Sequence, residues 1–154
     1  YYWDKYIKEW SKLINQKNKD ATIKLAMAQK HFYQEKYDLV IPILRRNEYK
    51  LDDQKRQAYV LELMSSFIFR KSNPQEFKNS MASFHSFLKR NQNKLQVYVY
   101  ESYNNLYKFI LELSTDKFKY SNTKHIKRLS NRSWCEKQIL LNSCTNTPAT
   151  FNAT

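Results

Sequence analysis

The groups in this 154-residue chain that could do chemistry are few: three histidines, two cysteines and 14 acidic residues. His31, His85 and His125 stand dozens of positions apart, and none has a second histidine or cysteine at the i+3 or i+4 spacing that sets two metal ligands on one helical turn. They read as surface or packing residues, with no metal site expected. Cys135 and Cys144 form neither a CxxC pair nor a disulfide framework. They read as incidental thiols of a reducing compartment, with a single bridge between them as the other reading. Glu62, Glu101 and Glu112 lie on helices beside apolar neighbours, without an obvious second carboxylate nearby, while Asp52, Asp53, Glu76 and Glu136 stand at helix starts. No acid and base pair of a hydrolase is visible, so the chain is expected to be no enzyme and to carry no cofactor. Asn131-Arg132-Ser133 and Asn152-Ala153-Thr154 match the glycosylation pattern, which arises easily by chance in an Asn-rich chain.

Binding chemistry is better represented. Tyr98, Tyr100 and Tyr107 flank the apolar stripe of one helix, where a tyrosine can contact a peptide or stack on a base or else fill a second packed face. Lys89 and Arg90, together with Lys94, make one basic group; Lys124, Lys127, Arg128 and Arg132 make a denser one. Two functions follow. The first is a protein-protein interaction scaffold or adaptor, with a protein or peptide partner held by aromatic and aliphatic anchors. The alternative is a nucleic-acid or polyanion-binding module that uses the basic groups on phosphates.

The elements that must position these residues are helical. Trp3, Ile7, Trp10 and Ile14 recur on one helical face, and the polar stretch Asn15 to Asp20 is expected to end that helix. Ala21, Leu25, Ala28 and Phe32 repeat the spacing, and a turn at residues 35 to 38 leads, through Asp38 as N-cap, to Val40, Ile41 and Leu44. Pro42 is expected at the edge of that helix's first turn. Val60, Leu63, Met64, Phe67 and Ile68 follow an Asp52-Asp53 start. Asn73-Pro74-Gln75-Glu76 then combines an N-cap, a first-position proline and the acidic third residue of a capping box, ahead of Phe77, Met81, Phe84 and Leu88. Leu95, Val99, Tyr103, Leu106, Ile110 and Leu113 sustain a long stripe. A short helix around Ile126 and Leu129 and a second capping box, Ser133 to Glu136, follow these six helical stripes, and the chain reads as three hairpins with turns near 36, 72 and 120. Residues 1–141 are expected to form one domain belonging to a longer protein, and residues 142–154, without periodicity, a disordered or extended tail.

Composition sharpens the class. There is no glycine, so phosphate loops, dinucleotide fingerprints and tight β-hairpins lose the residue they depend on. The formal net charge is +13, carried by 20 lysines and 7 arginines. Lys, Asn, Ile, Tyr and Phe share AT-rich codons, so this profile follows from an AT-rich genome without any selection for anionic partners. No apolar run reaches the roughly 18 residues of a bilayer span, and no signal peptide is visible, so a cytoplasmic location is expected.

The first hairpin resembles a tetratricopeptide repeat. Ala28 stands where the small first-helix residue packs, and Tyr37, Val40 and Leu44 follow at the spacing of the turn aromatic and second-helix core. The tryptophan, glycines and terminal proline of the consensus are missing. More widely, the hairpin Ala28 to Leu44, the run Phe84 to Asn91, Tyr103-Asn104-Asn105-Leu106 and Asn131 to Lys137 resemble the C-terminal part of an uncharacterised tetratricopeptide-like family of Bacteroidota. The resemblance implies an all-α fold of antiparallel helical hairpins stacked as a right-handed solenoid fragment, with Trp134 in a closing cap. It implies no reaction, substrate or cofactor.

Overall fold

A computed structural model describes residues 2–10, 12–14, 16–45, 48–115 and 131–145. The side chains of residues 6, 10, 16, 17 and 142–145 lie outside that description. Among the described residues the structure is all-helical, without strands. Its elements are α1 (Tyr2–Trp10), α2 (Gln16–Tyr33), α3 (Tyr37–Arg45), α4 (Asp52–Ile68), α5 (Pro74–Asn91), α6 (Val97–Ser114) and α7 (Arg132–Thr145). Contacts gather into two compact units, residues 1–86 and 87–154. No shift of composition marks the division, which falls inside α5.

In the first unit, α2 packs against α1, α3 and α4, and α3 against α4. Ala28 is fully buried, which lets the backbone of a neighbouring helix come close, and Leu25, Phe32, Val40 and Leu44 surround it in the core. The ring of Tyr37 meets Phe32 of α2 edge to face at 5.2 Å. Between α2 and α4 the contact is partly polar. Gln54, buried, donates to Thr22 Oγ1 at 2.8 Å, and Gln29 donates to Gln57 at 2.9 Å. α4 carries the longest run of buried residues among the described ones, Leu63 to Phe67. Ala58, Val60, Leu61, Leu63, Met64, Ser65, Ser66 and Phe67 are all buried, so its apolar surface runs round the cylinder instead of forming one stripe.

Several helix ends differ from the sequence reading. α1 stops at Trp10, leaving Ile14 outside it, and α2 begins at Gln16, so residues 16 to 20 open α2 instead of linking two helices. Their helix propensity is adequate, and an Asp20–Lys24 ion pair and a Thr22 bond to the Asn18 carbonyl support the first turns. α3 begins at Tyr37, which places Asp38 inside its first turn, where a carboxylate faces the positive end of the helix dipole. Pro42 is therefore interior to α3, and the Asp38 carbonyl receives no bond from it. α7 begins at Arg132 and not at a Ser133 cap. Glu136 accepts from Arg132 Nε at 2.7 Å, one turn away, instead of closing a capping box. α7 also continues to Thr145, past the end expected at Leu141. The short helix expected around Ile126 and Leu129, and the turn near 120, lie outside the described residues.

The junction at Asn73 is as expected. Asn73 Oδ1 accepts from the Glu76 backbone N–H at 3.2 Å, and its Nδ2 donates to Glu76 Oε2 at 3.1 Å. Asn73→Ala removes both bonds and is expected to cost about 1 kcal/mol of unfolding free energy in urea titration. An unchanged midpoint would show that the cap is dispensable.

At the end of α2 the chain makes a left-handed turn without glycine. The Lys36 N–H donates to the His31 carbonyl at 2.9 Å and the Glu35 N–H to that of Phe32 at 3.0 Å, the paired bonds of a Schellman motif, with Glu35 at φ 60°.

In the second unit α6 buries Leu106, Phe109, Ile110 and Leu113, and α7 buries Trp134, Cys135, Gln138 and Ile139. Both patterns follow one helical face.

Candidate functional site

Two surfaces and one polar network stand out. The first surface is aromatic and belongs to α1 and α2. Trp3 stacks on Tyr33 at 6.0 Å with ring planes 22° apart, and Tyr2 meets Trp3 edge on at 6.3 Å. Tyr2 and Tyr33 remain 75% and 70% exposed, so these rings are ordered against one another yet face solvent. Beside them Lys30 bonds Asp4 and holds its carboxyl below the usual range, through that hydrogen bond first and its charge second. Met27, on the same helix, is also exposed. Periodicity alone assigned Trp3 to a buried stripe. In fact Trp3 and Ile7 are only half-buried, and the aromatic spacing at the two helix ends was the available signal.

The second surface is the corner between α5 and α6. Lys89 and Arg90 are exposed in the last turn of α5, Lys94 is exposed in the connecting turn, and Val97 and Tyr98 open α6 at 74% and 70% exposure. The three tyrosines expected to act together are divided. Tyr100 and Tyr107, seven residues apart, lie within about 20° on the helix and are half-buried, with Tyr103 beside them. Tyr98 lies roughly 160° from Tyr100 round the axis. Lys124, Lys127 and Arg128 lie outside the described residues. Arg132 is exposed but paired with Glu136.

The network centres on Arg45. Its Nε and Nη2 donate to Glu62 Oε1 at 3.0 and 2.9 Å, while Nη1 pairs with Glu76 Oε1 at 3.1 Å. Ser80 Oγ donates to the same Glu62 oxygen at 3.2 Å. Glu62 thus does acquire a second carboxylate nearby, which the sequence did not reveal. The available signal was its isolation in the apolar run Val60 to Met64, where a half-buried charge needs a partner. With the guanidinium between them, Glu62 and Glu76 fasten α3, α4 and α5 together. Clefts of about 280 and 330 Å³ flank the network. Arg45, Tyr49, Lys55, Tyr59 and Glu62 border one; Ile41, Pro42, Phe69 and Glu76 border the other.

Other reactive groups are scattered. Among the described residues no three histidines, cysteines or carboxylates are grouped to hold a metal ion. Glu35, four positions after His31, belongs to the left-handed turn beyond the regular helix. Burial, reinforced by Glu136, pushes the Cys135 thiol up to about 12, so it is not a thiolate near neutral pH. No described helix is long and apolar enough to cross a membrane. Compared with protein-family models, with curated proteins and with solved structures, the chain has no match.

Proposed function

We propose that this chain is a non-catalytic interaction module, a tetratricopeptide-like stack of helical hairpins that holds a protein partner. The observation that carries the reading is the aromatic surface of Tyr2, Trp3 and Tyr33. Exposed rings that already hold one another lose little freedom on binding, and Trp and Tyr are the residues that dominate protein interfaces. The Asp4–Lys30 pair supplies the polar rim. Packing of α2 on α3, of α3 on α4 and of α2 on α4 supports the hairpin-repeat architecture, since α2 meets both the next helix and the next but one.

Nucleic-acid binding is the competing reading, favoured by the exposed Lys89, Arg90 and Lys94, and salt separates the two. A chain of net charge +13 retains oligonucleotides at low ionic strength whatever its role. If it holds a protein partner, the fluorescence anisotropy of a labelled oligonucleotide should fall to that of free ligand by about 150 mM salt, without sequence preference. Changing Lys124, Lys127, Arg128 and Arg132 to Gln should weaken the low-salt binding uniformly. Submicromolar affinity surviving at that salt concentration would overturn the scaffold reading.

A further inference from the structure

The corner between α5 and α6 has a chemistry that the aromatic surface lacks. From Phe77 to Tyr100 the chain contains no carboxylate, while Lys78, Lys89, Arg90 and Lys94 are cationic. Lys89 and Lys94 are exposed and join no ion pair among the described residues. At the same corner Val97 and Tyr98 expose 74% and 70% of their surface. Val97 has no polar atom with which to meet water. An adjacent aliphatic and aromatic pair set beside cations combines the two attractions of a charged, layered surface: anionic groups outside and an apolar layer just beneath them.

We propose that the corner of Lys89, Arg90, Lys94, Val97 and Tyr98 docks reversibly on an anionic lipid surface, with Val97 and Tyr98 entering the interfacial layer and the cations meeting the headgroups. Two features favour this occupant over a nucleic acid or a peptide. Base-stacking surfaces use successive rings, and here Tyr98 alone is exposed while Tyr100, Tyr103 and Tyr107 are half-buried. A bilayer interface deforms around a protruding side chain, and tyrosine is enriched at that depth. With two apolar side chains and three cations the attachment is weak and salt-sensitive.

The test is sedimentation of the full chain with vesicles of phosphatidylcholine alone and of phosphatidylcholine with about 30% phosphatidylserine, at about 100 mM salt. Binding is expected only to the second. A net charge of +13 could produce simple electrostatic adhesion, so the deciding variant keeps the charge: Val97→Ser with Tyr98→Ser should reduce partitioning about tenfold. Lys89→Gln with Lys94→Gln should reduce it by a similar factor or more. Both pairs are exposed, and unchanged circular dichroism would confirm that they fold. Full retention by the Val97→Ser and Tyr98→Ser variant overturns the proposal in favour of adhesion by charge alone, and absence of binding to the anionic vesicles overturns it outright. So does a short single-stranded oligonucleotide or an acidic peptide that binds tighter than the vesicles and depends on the same four residues. None of these outcomes touches the aromatic surface of α1 and α2, so the interaction-module reading stands or falls separately.

Discussion

Phe67→Ala is expected to destabilise the first unit by about 3 to 5 kcal/mol, the usual cost of emptying a phenylalanine site in a packed interior. Phe67 is fully buried on α4, the helix with apolar contacts all round, so the void has no solvent side through which to close. Its ring meets Phe77 at 5.9 Å in an edge-to-face contact, and the guanidinium carbon of Arg70 lies 3.9 Å above it. The variant therefore removes an aromatic pair, a cation–π contact and the buried area together. Phe67→Leu keeps most of the volume and should lose less than half as much. Urea unfolding followed by circular dichroism measures both. A loss below about 1 kcal/mol for Phe67→Ala would show that α4 can shift to fill the space.

Trp134→Ala should have a comparable effect in the second unit, again about 3 to 5 kcal/mol. The indole is 8% exposed and shares its face of α7 with Cys135 and Ile139, both buried, so it is the largest side chain on the inward face of that helix. Removal of residues 146–154, which contain one Phe and no helical periodicity, should change the midpoint little. Truncation has to begin after Thr145, because cutting at Leu141 would also remove the last turn of α7. A deletion more damaging than Trp134→Ala would reverse this ranking and assign the closing role to the residues beyond α7.

How far the sequence could be read differed with the physical origin of each feature. The Asn73 to Glu76 junction was legible because its bonds are local: cap, proline and acid lie within four residues and satisfy one another. α6 was legible because one face is half-buried at Val99 and Tyr103 and buried from Leu106 to Leu113, which yields a single stripe. α4 was recognisable as a helix from Val60, Leu63, Met64, Phe67 and Ile68, but the burial of Ser65 and Ser66 was not, since polar residues leave no mark in an apolar stripe. The α7 start was misread because Ser133 and Glu136 have capping-box spacing, whereas Arg132 competes successfully for the same carboxylate. The polar opening of α2 was misread as a linker because apolar periodicity is silent on a turn that contains no apolar residue. At the candidate sites, exposure of Tyr98 agreed with its flanking position. The Trp3–Tyr33 stack and the Arg45 network join residues 30 and 17 to 31 positions apart, and periodicity carries no information at that range.

The turn at Glu35 has a consequence for how this chain can change. A glutamate held at φ 60° bears the clash between its Cβ and the backbone, a strain of roughly 1 kcal/mol that glycine would not have. Glutamate and glycine codons differ by one base, an A in the second position replaced by G. The Lys-, Asn- and Ile-rich composition fits a genome whose substitutions run the other way. Mutational pressure of that kind keeps a stabilising replacement one step away yet rarely sampled, so the left-handed turn survives on the hydrogen bonds of its motif instead of on the residue best suited to it.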